Sequence, residues 1–359
     1  MPAMMTAATR SCEVAPGAGN RRTRGTMDSN AKQDISEWPA ALKAVFERSL
    51  TCEFATLTRR ETPVTWPVTP YQSAKGTLDI STGLTYPAKA DRARRNPRVA
   101  LLFADPVGTG LSDPPVVLVR GLASVRDRDL QAGTDRYIKL ALSKLAPVYR
   151  FTPWWILKQH AWYWVRAWVE VTPLEMWWWP NRDLSETPQK WAAVEGTTAP
   201  PSDPAPTGPP PGGYQSARED WRPRAEQVLD RLELADLTVV DASAWPVVWP
   251  VTNVASVADG FELSFGPHAP ASARGPGCIS FHSHGEEFTG QENAVFVGQV
   301  TPREGGAVFV VERALGDFSL AGHRLAVARA FFSKARKLRP RLEREINRRE
   351  QTTPAIRRP

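Results

Sequence analysis

The sequence lacks any apolar run approaching the roughly 18 residues that a membrane-spanning helix needs, so no segment reads as one. Cysteine is scarce. Cys12, Cys52 and Cys278 are scattered and odd in number, which gives no disulfide framework and leads to the expectation of a reducing, cytoplasmic setting. There is no Gly-x-Ser-x-Gly elbow, no Walker loop and no Rossmann glycine fingerprint. The first 36 residues lack the continuous apolar stretch of a secretion signal. They are small, polar and basic around Arg21-Arg22-Thr23-Arg24, and read as disordered. The net charge of +7 and pI of about 9.5 suit an anionic ligand, a nucleic acid or a lipid surface, and select none of them. No module signature supports nucleic acid, so none is expected.

What the 359-residue chain does contain is an internal repeat. Residues 45–90 align without a gap onto 228–273 at a constant offset of 183. The anchor is Pro63-Val64-Thr65-Trp66-Pro67-Val68-Thr69 against Pro246-Val247-Val248-Trp249-Pro250-Val251-Thr252. Matches continue on both flanks, from Val45 with Val228 to Pro87-Ala88 with Pro270-Ala271. Two domain-sized copies make a tandem pair and not a solenoid. The expected organisation is a disordered stretch over 1–36, a first domain over 37–180, a Pro-rich mobile linker over 181–219, a degenerate second domain over 220–320, and a basic C-terminal helix and tail over 321–359.

Each copy opens with a short helix, near Trp38–Ser49 and Trp221–Leu232, followed by strands. Pro67 and Pro250 place their strands at an edge or bulge. Thr77–Thr82 alternates as a half-buried strand, Arg98–Phe103 is nearly all apolar, and Val116–Val125 carries Gly121 at an expected bulge. Its counterpart is Asn293–Val300. Asp129–Val148 reads as a helix and Trp164–Trp178 as a long returning strand. The C-terminal helix is expected to break near Pro340. Many short strands and few helices indicate small barrels, a mainly β fold with flanking helices.

The segment from Ser81-Thr82-Gly83 through Lys89, Arg92, Arg94 and Arg95 to Asn96-Pro97 is the best site candidate. A strand ends in two hydroxyls and a short basic helix follows. Hydroxyls, free amides at a helix start and Lys or Arg are what a phosphate needs. A solvated basic helix beside a barrel is the alternative.

A strand, a Pro-Val-Thr strand, a strand ending Ile-Ser-Thr, and then Lys-(x)₅-Arg-Asn-Pro-Arg-Val resemble the pyridoxamine 5′-phosphate oxidase-like superfamily of FMN-binding split barrels. The match covers about residues 40–125 well and Arg166–Trp178 loosely. The resemblance implies six-stranded barrels that pair, here within one chain as a monomeric pseudo-dimer, with a flavin in the groove between them. It implies that Ser81, Thr82, Lys89, Arg92 and Arg95 lie near the cofactor phosphate, and that the strand carrying Trp66, Val68, Thr69 and Tyr71 lies near the isoalloxazine ring. FMN is the expected cofactor, with deazaflavin F420 as the alternative. Copy two departs from the pattern: Ser272 stands where Lys89 aligns, and Arg274-Gly275-Pro276-Gly277 replaces the basic helix. The Leu338-Arg339-Pro340 run does not reproduce the C-terminal substrate motif of true pyridoxamine-phosphate oxidases.

The expected activity is therefore flavin-dependent hydride transfer to a small-molecule substrate, with a nicotinamide as the candidate electron donor and no catalytic acid or base assigned. A non-catalytic flavin or haem carrier, or a lipid-surface scaffold, is the rival. Tryptophans 154, 155, 162, 164 and 168, then 177–179, read either as a peripheral membrane contact or aromatic wall, or as a cover over the barrel and the inter-copy interface. Cys278, His282, His284, Glu286 and Glu287 match no closed zinc pattern, and no metal is expected there.

Overall fold

The computed structural model describes residues 38–150, 152–209, 220–232, 234–266, 274–316 and 324–359, with only the backbone described over 324–335. The readings made for the N-terminal 36 residues and for Ser272 lie outside the described residues.

Copy one runs α1 (Ala40–Arg48), β1 (Cys52–Leu57), β2 (Pro63–Val68), β3 (Pro70–Gln72), β4 (Leu78–Gly83), α2 (Ala88–Arg95), β5 (Arg98–Phe103) and β6 (Val116–Arg126). A helical insert follows, with α3 (Leu130–Lys144) and the single turns α4 (Ala146–Tyr149), α5 (Trp154–Leu157) and α6 (Ala161–Trp164). Then come β7 (Arg166–Trp179) and β8 (Gln189–Ala192). Copy two has α7 (Arg222–Leu229), β9 (Leu234–Val240), β10 (Pro246–Pro250), β11 (Asn253–Val257), β12 (Gly260–Ser264), β13 (Gly275–Ser283), β14 (Glu292–Arg303) and β15 (Gly306–Ala314). The helix α8 (Arg324–Arg348) ends the fold.

The strand orders are β2-β1-β5-β6-β7-β4-β3 and β10-β9-β13-β14-β15-β12-β11, the same topology twice. β2 and β3 are separated only by Thr69, yet they occupy opposite ends of the order. One residue cannot span a flat sheet of that width, so the sheet curls until its edges meet. Counted as one bent strand, β2–β3 gives a six-stranded split barrel, and β10–β11 repeats the bend. Pro67 and Pro250 lie on these edge strands, where a missing amide leaves no ladder bond unmade. The bulge also recurs, with a register shift at Gly121 and another at Gly298. A side chain at Gly121 would put its Cβ 2.5 Å from the Thr172 carbonyl oxygen, which is why only glycine fits.

The barrels pack through equivalent surfaces. β2 contacts β13 and β9, while β10 contacts β5 and β1, the reciprocal pattern of an approximate two-fold axis. Cys278 and Val295 enter the core of copy one, as their equivalents Ala100 and Leu118 enter that of copy two. β1 is therefore buried on both faces and shows no alternation. Trp179 meets Trp249 edge-on at 5.2 Å, and the Thr65 and Thr238 hydroxyls lie 2.5 Å apart across the interface.

Two sequence-based expectations need correction. First, residues 181–209 are not a free tether. β8 adds to the sheet of copy one, Asp203 accepts the Asp127 and Arg128 amides at 2.8 and 2.9 Å, and Ser202 accepts the Val125 amide. The prolines favour an extended course, and carbonyls and carboxylates then find partners on the barrel. Residues 210–219 lie outside the described residues. Second, α8 continues through Pro340, which is exposed, so the carbonyl it frees faces solvent. The C-terminal helix packs on copy one. Leu342 and Ile346 join that core, and Arg349 reaches Asp127 at 2.9 Å.

Candidate functional site

The end of β4, the start of α2 and the start of β7 converge. Ala90 and Ala93 bury one face of α2 against the barrel. Arg94 clamps the helix by a two-pronged bond to Asp127 at 2.8 and 2.7 Å. This positions Lys89 and Arg92, both half-buried, over β1 and β2. The Lys89 ammonium lies 5.3 Å from the centre of the Trp66 ring, and Arg92 donates from Nε to Thr56 Oγ1 at 2.8 Å. Arg166 lies opposite Gly83 in the β4–β7 pair, and a Cβ on that glycine would approach its Nη1 to 3.6 Å. Its guanidinium stacks on Tyr137 at 4.2 Å and Tyr163 at 4.8 Å, and it donates to the Tyr137 hydroxyl at 3.0 Å.

The electrostatics of this group are one-sided. Burial, then the nearby Arg92 and Arg166, pull the Lys89 ammonium down from 10.5 to about 7. Burial likewise lowers Arg92 to about 10. Among the described residues, none of Lys89, Arg92 and Arg166 forms an ion pair with a carboxylate. Such a cation cluster is unfavourable in the free protein and favourable around an anion.

The other expected site residues are distributed unequally. Ser81 is half-buried and pairs in register with Trp168, next to Arg166. Thr82 is buried and its hydroxyl donates to the Tyr86 carbonyl at 3.0 Å, closing its own turn. Arg95 is exposed at the end of α2. Trp66 and Val68 belong to the core of copy one, and Thr69 is the half-buried corner between β2 and β3. Tyr71 is buried against Trp168 at 5.5 Å with its hydroxyl unpartnered. Reasoning from the sequence missed Arg166, Tyr137 and Tyr163 as members of the site. The tyrosines lie in the helical insert, where no local motif marks them, and Arg166 was read only as the start of a strand.

Copy two lacks the insert, and its sequence has no counterpart of the basic run Arg92 to Arg95. Its β14 and β15 are joined by Glu304-Gly305, with Gly305 at φ +72°, where copy one holds its whole insert. Counted on past the last β12–β15 pair, Ser264 with Gly306, the position of Arg166 falls on the turn residue Glu304.

The tryptophans mostly cover the barrel. Trp164 and Trp168 are fully buried with Tyr71, Tyr137 and Tyr149, and Trp178 and Trp179 are also buried. Trp155 stands out at 62% exposure. Among the described residues no helix is long and apolar enough to cross a membrane.

A second polar cluster lies between the copies. His282 and His284 both reach Asp105 Oδ2, at 3.3 and 2.9 Å. His282 also lies 2.8 Å from Glu53 Oε1, and Ser280 donates to Glu53 Oε2 at 2.9 Å. Burial disfavours the His282 imidazolium, but the hydrogen bonds it donates to Asp105 and Glu53 outweigh it and raise the group to about 10. Cys278 instead meets the Thr65 amide, Glu286 accepts from the Gly108 amide, and Glu287 pairs with Arg150.

No family model matches this chain, and no curated protein matches it. Solved structures do. General stress protein 26 from Bacillus anthracis is 13% identical, over 43% of this chain and 96% of its own, with a TM-score of 0.29. A structure titled F420 reductase is 22% identical, over 39% and 98%, at 0.30. A relative of general stress protein 26 from Clostridium acetobutylicum, described as of the pyridoxinephosphate oxidase family, is 12% identical, over 43% and 93%, at 0.28. Each is what this chain is similar to, and the likeness says nothing of activity.

Proposed function

We propose that copy one holds the phosphate of a flavin-type cofactor, FMN or F420, and that the protein is an oxidoreductase acting on a small substrate. The observation that carries this reading is the cluster of Lys89, Arg92 and Arg166 without carboxylate partners. It lies at the strand end and helix start that the resemblance to split-barrel flavoproteins marks for a phosphate. When bound, the flavin would supply hydride transfer at its ring. The chain's own contribution would be to fix the phosphate with Lys89, Arg92 and Arg166, and to exclude water with the aromatic wall of Trp66, Tyr137, Tyr163 and Trp168. Copy two would complete the barrel pair without a site of its own.

The test is titration calorimetry of the full chain with FMN and separately with F420. Lys89→Ala and Arg166→Ala should each weaken binding by roughly ten- to hundredfold, the loss of a charge-assisted bond of about 1.5–3 kcal/mol. Unchanged affinity in both variants would refute the placement of the phosphate.

A further inference from the structure

We propose that Glu53, Asp236 and His282 form a divalent-cation site on the pseudo-two-fold axis between the barrels. This inference is independent of the cofactor reading. Glu53 and Asp236 are equivalent residues at the offset of 183. Equivalent residues that meet each other do so at the symmetry axis. The ligand atoms of the three side chains lie within 4.8 Å of one another, and the three residues are 1%, 3% and 4% exposed.

Several independent features point to an ion. Glu53 Oε1 and His282 Nδ1 are buried and face only each other, 2.8 Å apart, with no further hydrogen-bond partner for either atom. These are the atoms that face the cluster. The opposite atom of each side chain is held from behind. Glu53 Oε2 accepts from Ser280 Oγ at 2.9 Å, and His282 Nε2 lies 3.3 Å from Asp105 Oδ2. Asp105 is itself fixed by His284 Nε2 at 2.9 Å and by the Val107 amide at 2.9 Å. A carboxylate behind an imidazole whose other nitrogen faces the ligands is the arrangement that orients a metal-binding histidine. Charge agrees with geometry. Three carboxylates, Glu53, Asp105 and Asp236, share this buried region with two imidazoles, of which His282 would give up its proton to an incoming ion, and among the described residues no Lys or Arg pairs with any of the three. A divalent ion offsets that excess without opening the interface to water.

Two carboxylate oxygens and one imidazole nitrogen suit a borderline transition ion such as Zn²⁺ or Mn²⁺ better than a hard ion such as Mg²⁺. An ion about 2.0–2.2 Å from each donor needs donors roughly 3–4 Å apart, and those here lie within 4.8 Å of one another.

The experiment strips the full-length chain with EDTA, verifies its fold by circular dichroism, and titrates it with Zn²⁺ and Mn²⁺ by calorimetry. One ion per chain is expected. Asp236→Asn and His282→Ala should each weaken binding at least tenfold, while the exposed Glu287→Gln should not change it. Anomalous diffraction from zinc-loaded wild-type crystals covers the case of variants that fail to fold, with a peak expected among Glu53, Asp236 and His282. A folded wild-type chain that binds neither ion, unaltered affinity in Asp236→Asn, or a zinc peak only elsewhere would each overturn the proposal.

Discussion

Replacing Lys89 by methionine should stabilise the free protein while damaging its binding site. In the fold, the Lys89 ammonium is desolvated and faces Arg92 and Arg166, with Glu53 as the compensating field. Its lowering from 10.5 to about 7 corresponds to an upper bound near 5 kcal/mol, at about 1.4 kcal/mol per unit. Lys89 is half-buried, so water screens part of this, and a gain of ~1–3 kcal/mol is expected for Lys89→Met. The sign follows from proton counting. Below about pH 7 the lysine is charged in both states, and the folded wild type carries the full penalty. Between about 7 and 10.5 the unfolded chain holds the proton more tightly, so wild-type stability rises with pH. The advantage of the methionine variant should therefore be largest at or below neutrality and vanish near 10.5. Urea denaturation of both proteins at about pH 6.5 and about pH 9.5 reads this gap. In parallel, wild-type affinity for FMN should fall with rising pH above about 7, and the variant should lose that slope along with roughly ten- to hundredfold in affinity. A variant less stable than wild type at the lower pH, or a gap that ignores pH, would refute the account of Lys89 as a desolvated, functionally retained cation.

Further outcomes test other parts of the structure. Asp127→Ala leaves Arg94 without its buried carboxylate and Arg349 with Glu345 alone, and should cost about 3–5 kcal/mol in chemical denaturation, loosening α2 and α8 together. Gly298→Val would place a Cβ 2.0 Å from the Val310 carbonyl oxygen and should prevent soluble expression or sharply lower the melting temperature. Exposed Trp155→Ser should leave stability within about 0.5 kcal/mol of wild type, and co-sedimentation with anionic vesicles then reports whether this residue contacts a lipid surface. Raised salt should weaken FMN binding in wild type and less so in Lys89→Met, as read by calorimetry.

The duplication was legible because the two copies keep their strand spacing from α1 to β4, so a single offset exposes it. Beyond residue 90 the alignment fails for physical reasons. The sequence of copy two has no counterpart of the basic run Arg92 to Arg95 before β13, and a two-residue turn replaces the insert between β6 and β7. The edge positions of Pro67 and Pro250 and the bulge at Gly121 were readable from single residues, since each follows from a local steric rule. The phosphate-site cations on α2 were readable as composition, but their division of labour was not. Arg94 serves the ion pair with Asp127, Arg95 faces solvent, and Arg166 joins from a distant strand. The inter-copy cluster was the least legible part. Glu53 and Ser280 are 227 residues apart and meet only because two barrels pack around an axis. The prolines of residues 181–209 suggested a free tether, because composition does not reveal that Asp203 and Ser202 find amides on β6 and just beyond it.

The asymmetry between the copies is the central claim, and cofactor stoichiometry tests it most directly. Calorimetric titration of the full chain with FMN, and separately with F420, should saturate at one equivalent per chain for the compound that binds, with that binding weakened in Lys89→Ala. Two equivalent sites per chain, or binding of neither compound, would contradict it.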